Sequence, residues 1–291
     1  MTWEVMASPP ALAMMRAMKR PDPVPPHAAN PLGQMLREWR AARRISQFDL
    51  ALDSRISARH LSYVETGKAH PSRELLGQIA DALDMPLRER NALLLAGGYA
   101  PSFRESALTA PEMAVVARAI EMILAQQEPF PAFVVDRHWN VLMANGAMAR
   151  LLHSLKPGGP KHANLLHQVF DPDDLRPCIA NWDTVAADLI RHLHDTIARA
   201  PSDRTARTLL DEVLRYPDTP TSWRRREVGA TPLPVITTVF AGPHGPLGFF
   251  STLTTFGTSW DVTAEETRIE CMHPLDEQTR AHCRALAQAA P

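Results

Sequence analysis

Cysteine is scarce in this chain. Cys178, Cys271 and Cys283 are the three in 291 residues, widely spaced and odd in number. No C-x-x-C pair exists, which argues against a zinc ribbon or a dithiol redox motif and leaves reduced thiols in a cytoplasmic setting as the expectation. No run of 18 apolar residues occurs, so no membrane span is expected. The opening stretch places its basic residues after the apolar ones, the reverse of a secretory signal. Cofactor cradles are missing too: there is no G-x-x-x-x-G-K-[ST], no G-x-G-x-x-G and no G-x-S-x-G, the patterns that hold phosphates or expose a nucleophile. Gly158 and Gly159 are an isolated loop pair.

Twelve histidines do not make a metal site by number. His192 and His194 are two apart and point away from each other on a helix, and no H-E-x-x-H is present. Asp171, Asp173 and Asp174 form a D-P-D-D run, which reads as a turn and helix cap. The expectation is a protein without catalytic residues, metal or cofactor, and not an enzyme.

The overall net charge is −1, so bulk charge does not advertise a nucleic-acid partner. Its distribution says slightly more. Residues 32–99 hold ten Lys/Arg against eight Asp/Glu, and residues 100–291 hold eighteen against twenty-two. The weak basic bias falls on the segment that carries the clearest local pattern, where phosphate binding would want it.

That segment is ISQFDLALDSRISARHLSYVETGKAHP, residues 45–71. Ser46 can cap a helix from Gln47 to about Asp53. Ser57 can cap a second helix to about Thr66, where Gly67 stops it. Only three or four residues separate them. Two helices joined so tightly form a helix-turn-helix, whose second helix can enter the major groove. Leu50, Ala51, Ile56, Leu61 and Val64 fall where the crossed helices share a core. Arg59, His60, Ser62 and Tyr63 stay on the polar face, with Lys68 beyond it. An ordinary helical hairpin with a solvated face has the same spacing.

The stretch resembles the DNA-binding domain of the Xre family of phage-repressor-like regulators, over about residues 32–97. Gln47, the E-x-G-K of Glu65 to Lys68 and the following Pro-Ser carry the likeness. The resemblance implies an all-α domain of five helices. It also implies a structural clamp in which Arg40 on the first helix pairs with Glu65 on the recognition helix. Many relatives have Gly where this chain has Arg55, a departure that costs about 1 kcal/mol if the turn is left-handed. Within that frame, counted from the cap Ser57, itself a DNA-binding candidate, Ala58, Arg59 and Tyr63 are the candidates that face the bases. Arg59 suits guanine O6 and N7, and Ala58 a thymine methyl. Gln47, His60 and Lys68 are the candidates for phosphates.

Along the chain, residues 1–30 are rich in Pro, Ala and Met and read as a disordered arm. Residues 31–98 form the helix-turn-helix domain. Residues 99–128 form a linker and a connecting helix opened by Pro111, which is either a packed helix or a dimer seam. From 129 to 288 the texture changes. Two strand-like runs, Pro131–Asp136 and Trp139–Ala144, precede a block of helices. Three further runs, at 233–240, 247–257 and 266–274, precede a last helix.

Two strands, helices, then three antiparallel strands is the order of a PAS-like α+β domain, which encloses a small-molecule pocket. The stretches VVDRHWNVLMAN, NLLHQVFDP, NWDTVAADL and FFSTLTTFGTSWDVTAEETRIECMHP resemble the MmyB-like regulator ligand-binding domain, and that resemblance implies an aliphatic, fatty-acid-like ligand. Candidate ligand contacts are Asn145, Phe170, Arg176, Asn181, Trp182, Phe249, Phe250, Thr252 and Thr254. Arg176 and Asn181 could anchor a carboxylate. Alternation separates Phe249, Ser251, Leu253 and Thr255 from Phe250, Thr252, Thr254 and Phe256 without saying which face is inside.

The expected whole is an α+β multidomain regulator of transcription. Its expected partners are double-stranded operator DNA, a small-molecule ligand and a second copy in a homodimer, with no membrane. The competing expectation is a DNA-binding antitoxin or scaffold whose C-terminal domain binds a protein.

Overall fold

The computed structural model describes residues 30–226, 235–257 and 259–289. The arm expected at the N-terminus lies outside them apart from Asn30, as does the start of the strand expected at 233–240.

Five helices make the first domain: α1 (Pro31–Arg43), α2 (Gln47–Asp53), α3 (Ala58–Glu65), α4 (Arg73–Ala82) and α5 (Leu87–Ala96). Side-chain caps begin the first four. Asn30 Oδ1 accepts from Gly33 N, Ser46 Oγ from Asp49 N, Ser57 Oγ from His60 N and Ser72 Oγ from Leu75 N, each meeting an orphan donor of a first turn. Leu36, Trp39, Leu50, Leu61, Leu76 and Ile79 form a closed core between them. Arg55 takes φ 58° in the turn between α2 and α3, so the chain accepts there the left-handed cost that glycine avoids. Gly33 answers to a different constraint: a Cβ on it would lie 2.0 Å from the Glu65 carbonyl oxygen. Only glycine lets α1 pass so close to the end of α3.

The linker is held against the body. Asn91 on α5 accepts from the N–H groups of Ser102 and Phe103 and donates to the Phe103 carbonyl. A short 3-10 turn at Pro111–Met113 leads into α6 (Ala114–Gln127).

The second domain follows as β1 (Ala132–Val135), β2 (Val141–Ala144), α7 (Gly146–Leu155), α8 (Leu165–Phe170), α9 (Trp182–Arg199), α10 (Arg204–Val213), β3 (Thr237–Gly242), β4 (Gly245–Thr254), α11 (Val262–Glu266), β5 (Arg268–Pro274) and α12 (Glu277–Gln288). The strands make one antiparallel sheet in the order β2-β1-β5-β4-β3. Pairing β1 with β5 at the centre brings the two ends of the domain together around the helices, the arrangement expected of a PAS-like fold.

Both faces of the sheet are covered at its centre, which is why every residue of β1 is buried. On one face α6 lays Ile120 and Leu124 over Ala132, Val134, Ile269 and Cys271. The connecting helix is therefore a packed helix on this face, although Val115 and Met122 on it remain exposed. On the other face, Phe133, Val135, Phe249 and Met272 meet α7 to α10. Register settles the question that alternation leaves open. Phe133 lies opposite Glu270, and Leu253 opposite the same Glu270, so Phe249, Ser251 and Leu253 face the helices, and Phe250, Thr252 and Thr254 face away.

Candidate DNA-reading surface and ligand cavity

Helix α3, the second of the helix-turn-helix pair, is fixed through one carboxylate. Glu65 closes α3 and is 3% exposed. Its oxygens accept from Arg40 Nε at 2.6 Å, Arg40 Nη2 at 3.1 Å and Gln47 Nε2 at 2.9 Å. Arg37 Nη1 reaches the Glu65 carbonyl at 2.5 Å. Helices α1, α2 and α3 thus meet on a single residue with bidentate geometry, the strong form of a charge-assisted pair. Gln47 has its amide engaged here, which holds it at the start of α2.

The outer side of α3 is organised around Tyr63. Arg59 Nε donates to its hydroxyl at 2.9 Å, and the Arg59 guanidinium lies 5.3 Å from its ring centre. The Lys68 ammonium lies 6.0 Å from the same ring. Arg59, Tyr63 and Lys68 form one cluster, and Arg59 and Lys68 are exposed. Ser57 is exposed and spends its hydroxyl on the cap; His60 is half-buried. Ala58 is half-buried against the domain core, so it offers less surface than the sequence reading gives it.

The second domain contains a half-open cavity of about 400 Å³, within the size range of small-molecule sites. Its walls are mainly apolar: Phe133, Met148, Leu165, Val169, Ile179 and Phe240 are among them. A neighbouring lobe of about 500 Å³ shares Phe133, Met148, Leu152, Leu165 and Gln168 and runs toward Gly158 and Gly159. The polar part of the wall lies where α9 faces the sheet, with Asp188, Arg191 and His192 opposite Ser251, Arg268 and Glu270. Asp188 pairs with Arg191. Burial raises the Glu270 carboxyl above the usual carboxylate range. The Ser251 hydroxyl works against that, and Asp188 adds to it.

Most of the nine candidate ligand contacts lie elsewhere, each for a visible reason. Asn145 caps α7 and ties β1 to it, accepting from Met148 N at 2.9 Å and Ala132 N at 3.0 Å. Asn181 splints the start of α9 to β3 through the Thr237 carbonyl and Val239 N–H. Trp182 donates to the Val169 carbonyl at 2.8 Å. Arg176 stacks 3.8 Å from the Trp182 ring centre and donates to the Pro217 carbonyl, away from the cavity wall. Phe170 and Phe249 are fully buried in the packing between sheet and helices. Phe250 stacks on His273 on the opposite face of the sheet, and Thr254 shares that face. Thr252 borders the cavity, but its hydroxyl turns to His273 at 3.1 Å.

Two wall residues that sequence reasoning missed are Trp139 and Arg268. Trp139 was assigned to a strand on its aromatic character. It lies instead in the turn before β2, at φ 68°, where a bulky residue is an outlier. Asp136 fixes this turn: its Oδ1 accepts from the N–H groups of His138 and Asn140. An Asp four residues before an Asn is turn chemistry that could have flagged it.

The domains join through charged groups. Glu265 of α11 accepts from Leu87 N at 2.9 Å. It thereby caps α5, whose own N-cap residue, Pro86, supplies no side-chain bond. Glu266 accepts from Arg88 Nε at 2.8 Å and Nη2 at 2.9 Å, and from Arg137 Nη1 at 2.7 Å. Arg137 also pairs with Asp203, which accepts from His138 at 2.9 Å, and Arg137 lies 3.6 Å from Glu89 of α5. Burial alone would raise Asp203, but the bonds from His138, the Ala206 N–H and Arg137 hold it well below the carboxylate range. Residues 265–270 therefore run in six positions from the cap of a DNA-binding-domain helix to the cavity wall. Among the described residues, no three His, Cys, Asp or Glu side chains converge as a metal site, and no helix is long and apolar enough to cross a membrane.

A helix-turn-helix domain clasped to a cavity-bearing α+β domain is the architecture of a ligand-sensing transcription regulator. Two family models agree. The family model for the MmyB-like transcription regulator ligand binding domain matches residues 116–286, and one for a helix-turn-helix domain matches residues 31–93. The chain belongs to the MmyB-like family. No curated protein matches it. Among solved structures, one described as an RNA-binding light-oxygen-voltage receptor is similar at 14% identity and a TM-score of 0.22, covering 90% of this chain. The chain spans 64% of that structure's length.

Proposed function

We propose that the protein regulates transcription by binding operator DNA through α3, and that an aliphatic, fatty-acid-like molecule in the cavity changes its affinity for that DNA. The observation that carries this reading is the continuity of residues 265–270, which belong at once to the cap of α5 and to the cavity wall. A ligand shifts DNA affinity only if it binds two domain arrangements differently, and a shared segment gives it the means. In this reading Arg59 and Tyr63 read bases, Ala58 and Ser57 sit at the groove, and Gln47, His60 and Lys68 hold phosphates.

The working form is a homodimer, because two half-sites about 34–36 Å apart, or multiples of that, multiply the affinity of a small recognition helix. Titrating labelled operator with the full chain, with and without saturating dodecanoate, tests the coupling. The expected change in affinity is about 5- to 150-fold, and no change rejects it. Light scattering on the operator complex that returns a single 32.3 kDa chain would reject the dimer.

A further inference from the structure

The cavity wall holds a cation and a donor that the rest of the protein leaves unused. Arg268, the first residue of β5, makes no side-chain hydrogen bond among the described residues, and Glu266 and Asp136 act on it only through space; Arg191 on the same wall is taken by Asp188. The Arg268 guanidinium lies 5.8 Å from the centre of the Trp139 ring. Trp139 is 6% exposed, and its indole N–H has no acceptor. A buried donor left unbonded is costly, and a tryptophan held at φ 68° is costly again. Strain and unmet polarity at one point of a cavity wall are what a binding site carries before its ligand arrives.

We propose that Arg268 and the indole N–H of Trp139 form the head-group site of this cavity, and that the ligand is an amphipathic acid whose carboxylate they hold. This rests on the reading of the cavity as an aliphatic-ligand site and adds the chemistry of the ligand's polar end. The apolar walls take the chain. The carboxylate supplies the acceptor that the indole lacks and the directly bonded anion that the guanidinium lacks, Glu266 and Asp136 acting on it only through space. Burial, then Arg199 and Arg137, push Arg268 down from the ordinary arginine value, with Glu266 and Asp136 opposing them only in part, so an anion here relieves an existing penalty.

The site's position also explains how it would be felt outside. Trp139 follows Arg137 and His138, which hold the domain-joining network through Asp203 and Glu266. Arg268 stands two residues after Glu266. Drawing the indole and the guanidinium onto one carboxylate pulls on both ends of that network.

The test compares dodecanoate with dodecan-1-ol below their aggregation limits, by calorimetry on the full chain near pH 7.5. The wild type is expected to bind the acid about tenfold or more tightly than the alcohol, the scale of one charge-assisted hydrogen bond. Arg268→Gln should erase that preference by weakening the acid and leaving the alcohol unchanged. Trp139→Phe should reduce it in part, and Arg268→Lys should keep part of it. If Arg268→Gln shows no cooperative melting, Arg268→Lys and Trp139→Phe decide the matter. Equal binding of acid and alcohol by the wild type, or unchanged acid binding in the variants, overturns the head-group site while the aliphatic reading stands. Failure of both ligands to bind the wild type overturns the aliphatic reading and the head-group site with it.

Discussion

Each domain of this protein takes a glutamate out of bulk water, Glu65 fully and Glu270 in part, and the two are treated differently. Glu65 in the DNA-binding domain meets Arg40 twice and Gln47 once. Glu270 in the sensor domain meets no cation, only the Ser251 hydroxyl and the like charge of Asp188. The same contrast holds for two tryptophans. Trp39 and Trp139 both leave the indole N–H unbonded, but Trp39 is enclosed by core at 1% exposure while Trp139 borders a cavity. The first domain uses its buried charge to hold one geometry. The second keeps space and unmatched polarity in the wall of its cavity. A reader has to be rigid so that base edges are met in register, whereas a sensor needs a second state to be moved into.

The largest expected effect breaks the first half of that contrast. Arg40→Ala removes the guanidinium and leaves Glu65 buried with Gln47 alone. Breaking a buried pair by deleting one partner costs about 3–5 kcal/mol. Denaturation of the full chain should show the loss in the transition of the DNA-binding domain, with the sensor transition unmoved. A loss below about 1 kcal/mol, the worth of a surface pair, would mean that the clamp does not hold the helices.

Next comes the surface that the clamp presents. Arg59→Ala should cost about 1–3 kcal/mol on the true operator and relax specificity at one base pair. Lys68→Ala should weaken all sequences alike and lower the salt slope by about one. Because Arg59 is already braced on Tyr63, Tyr63→Phe should loosen it and give a smaller loss in the same direction. Equal losses on operator and scrambled DNA for Arg59→Ala would show a backbone contact instead.

A comparable or smaller effect tests whether the rigid and the open domain communicate. Arg88→Ala breaks the bidentate contact with Glu266 without touching the cavity or α3. The ligand-dependent change in operator affinity should fall to within about twofold, from an expected coupling of about 5- to 150-fold, while binding of dodecanoate itself is retained. Full coupling in this variant would place the connection elsewhere than the Arg88–Glu266 contact.

What the residues told in advance divides along the same line. Helix starts and stops were legible because their causes are local: Ser46, Ser57 and Ser72 each cap an N–H within three residues, and Gly67 takes φ 75° at the end of α3. The order of strands was legible from short β-branched runs between turns. The cavity was not. Alternation along β4 defines two faces, but each mixes apolar and hydroxyl side chains, Phe249, Ser251 and Leu253 on one and Phe250, Thr252 and Thr254 on the other, so the pattern cannot say which one lines the space. Asn145, Asn181 and Arg176 looked available because their partners are backbone groups brought in by the fold: Phe130, Thr237 and Pro217 carbonyls. Trp139 was hidden by strand propensity in a turn set by Asp136. Glu265 and Leu87 stand 178 positions apart, beyond the reach of any periodicity.

The smallest effect probes the other half of the contrast. The folded value of the Glu270 carboxyl is raised above the 4.5 of a free glutamate, chiefly by burial. Between 4.5 and that raised value the folded protein holds a proton that the unfolded chain has released. Stability therefore falls as pH rises through this window. Glu270→Gln has no proton to lose and keeps a similar shape. Below about pH 4.5 the variant and the wild type should melt together. Above it the variant should gain, by about 2–4 °C for each kcal/mol relieved in a domain of this size, until the gain levels off beyond the folded value. Melting curves of both proteins from pH 4 to 9 measure this difference directly. A constant difference across that range would mean that Glu270 ionises in the cavity as freely as in water, and that the sensor domain is no less matched in its charges than the reader.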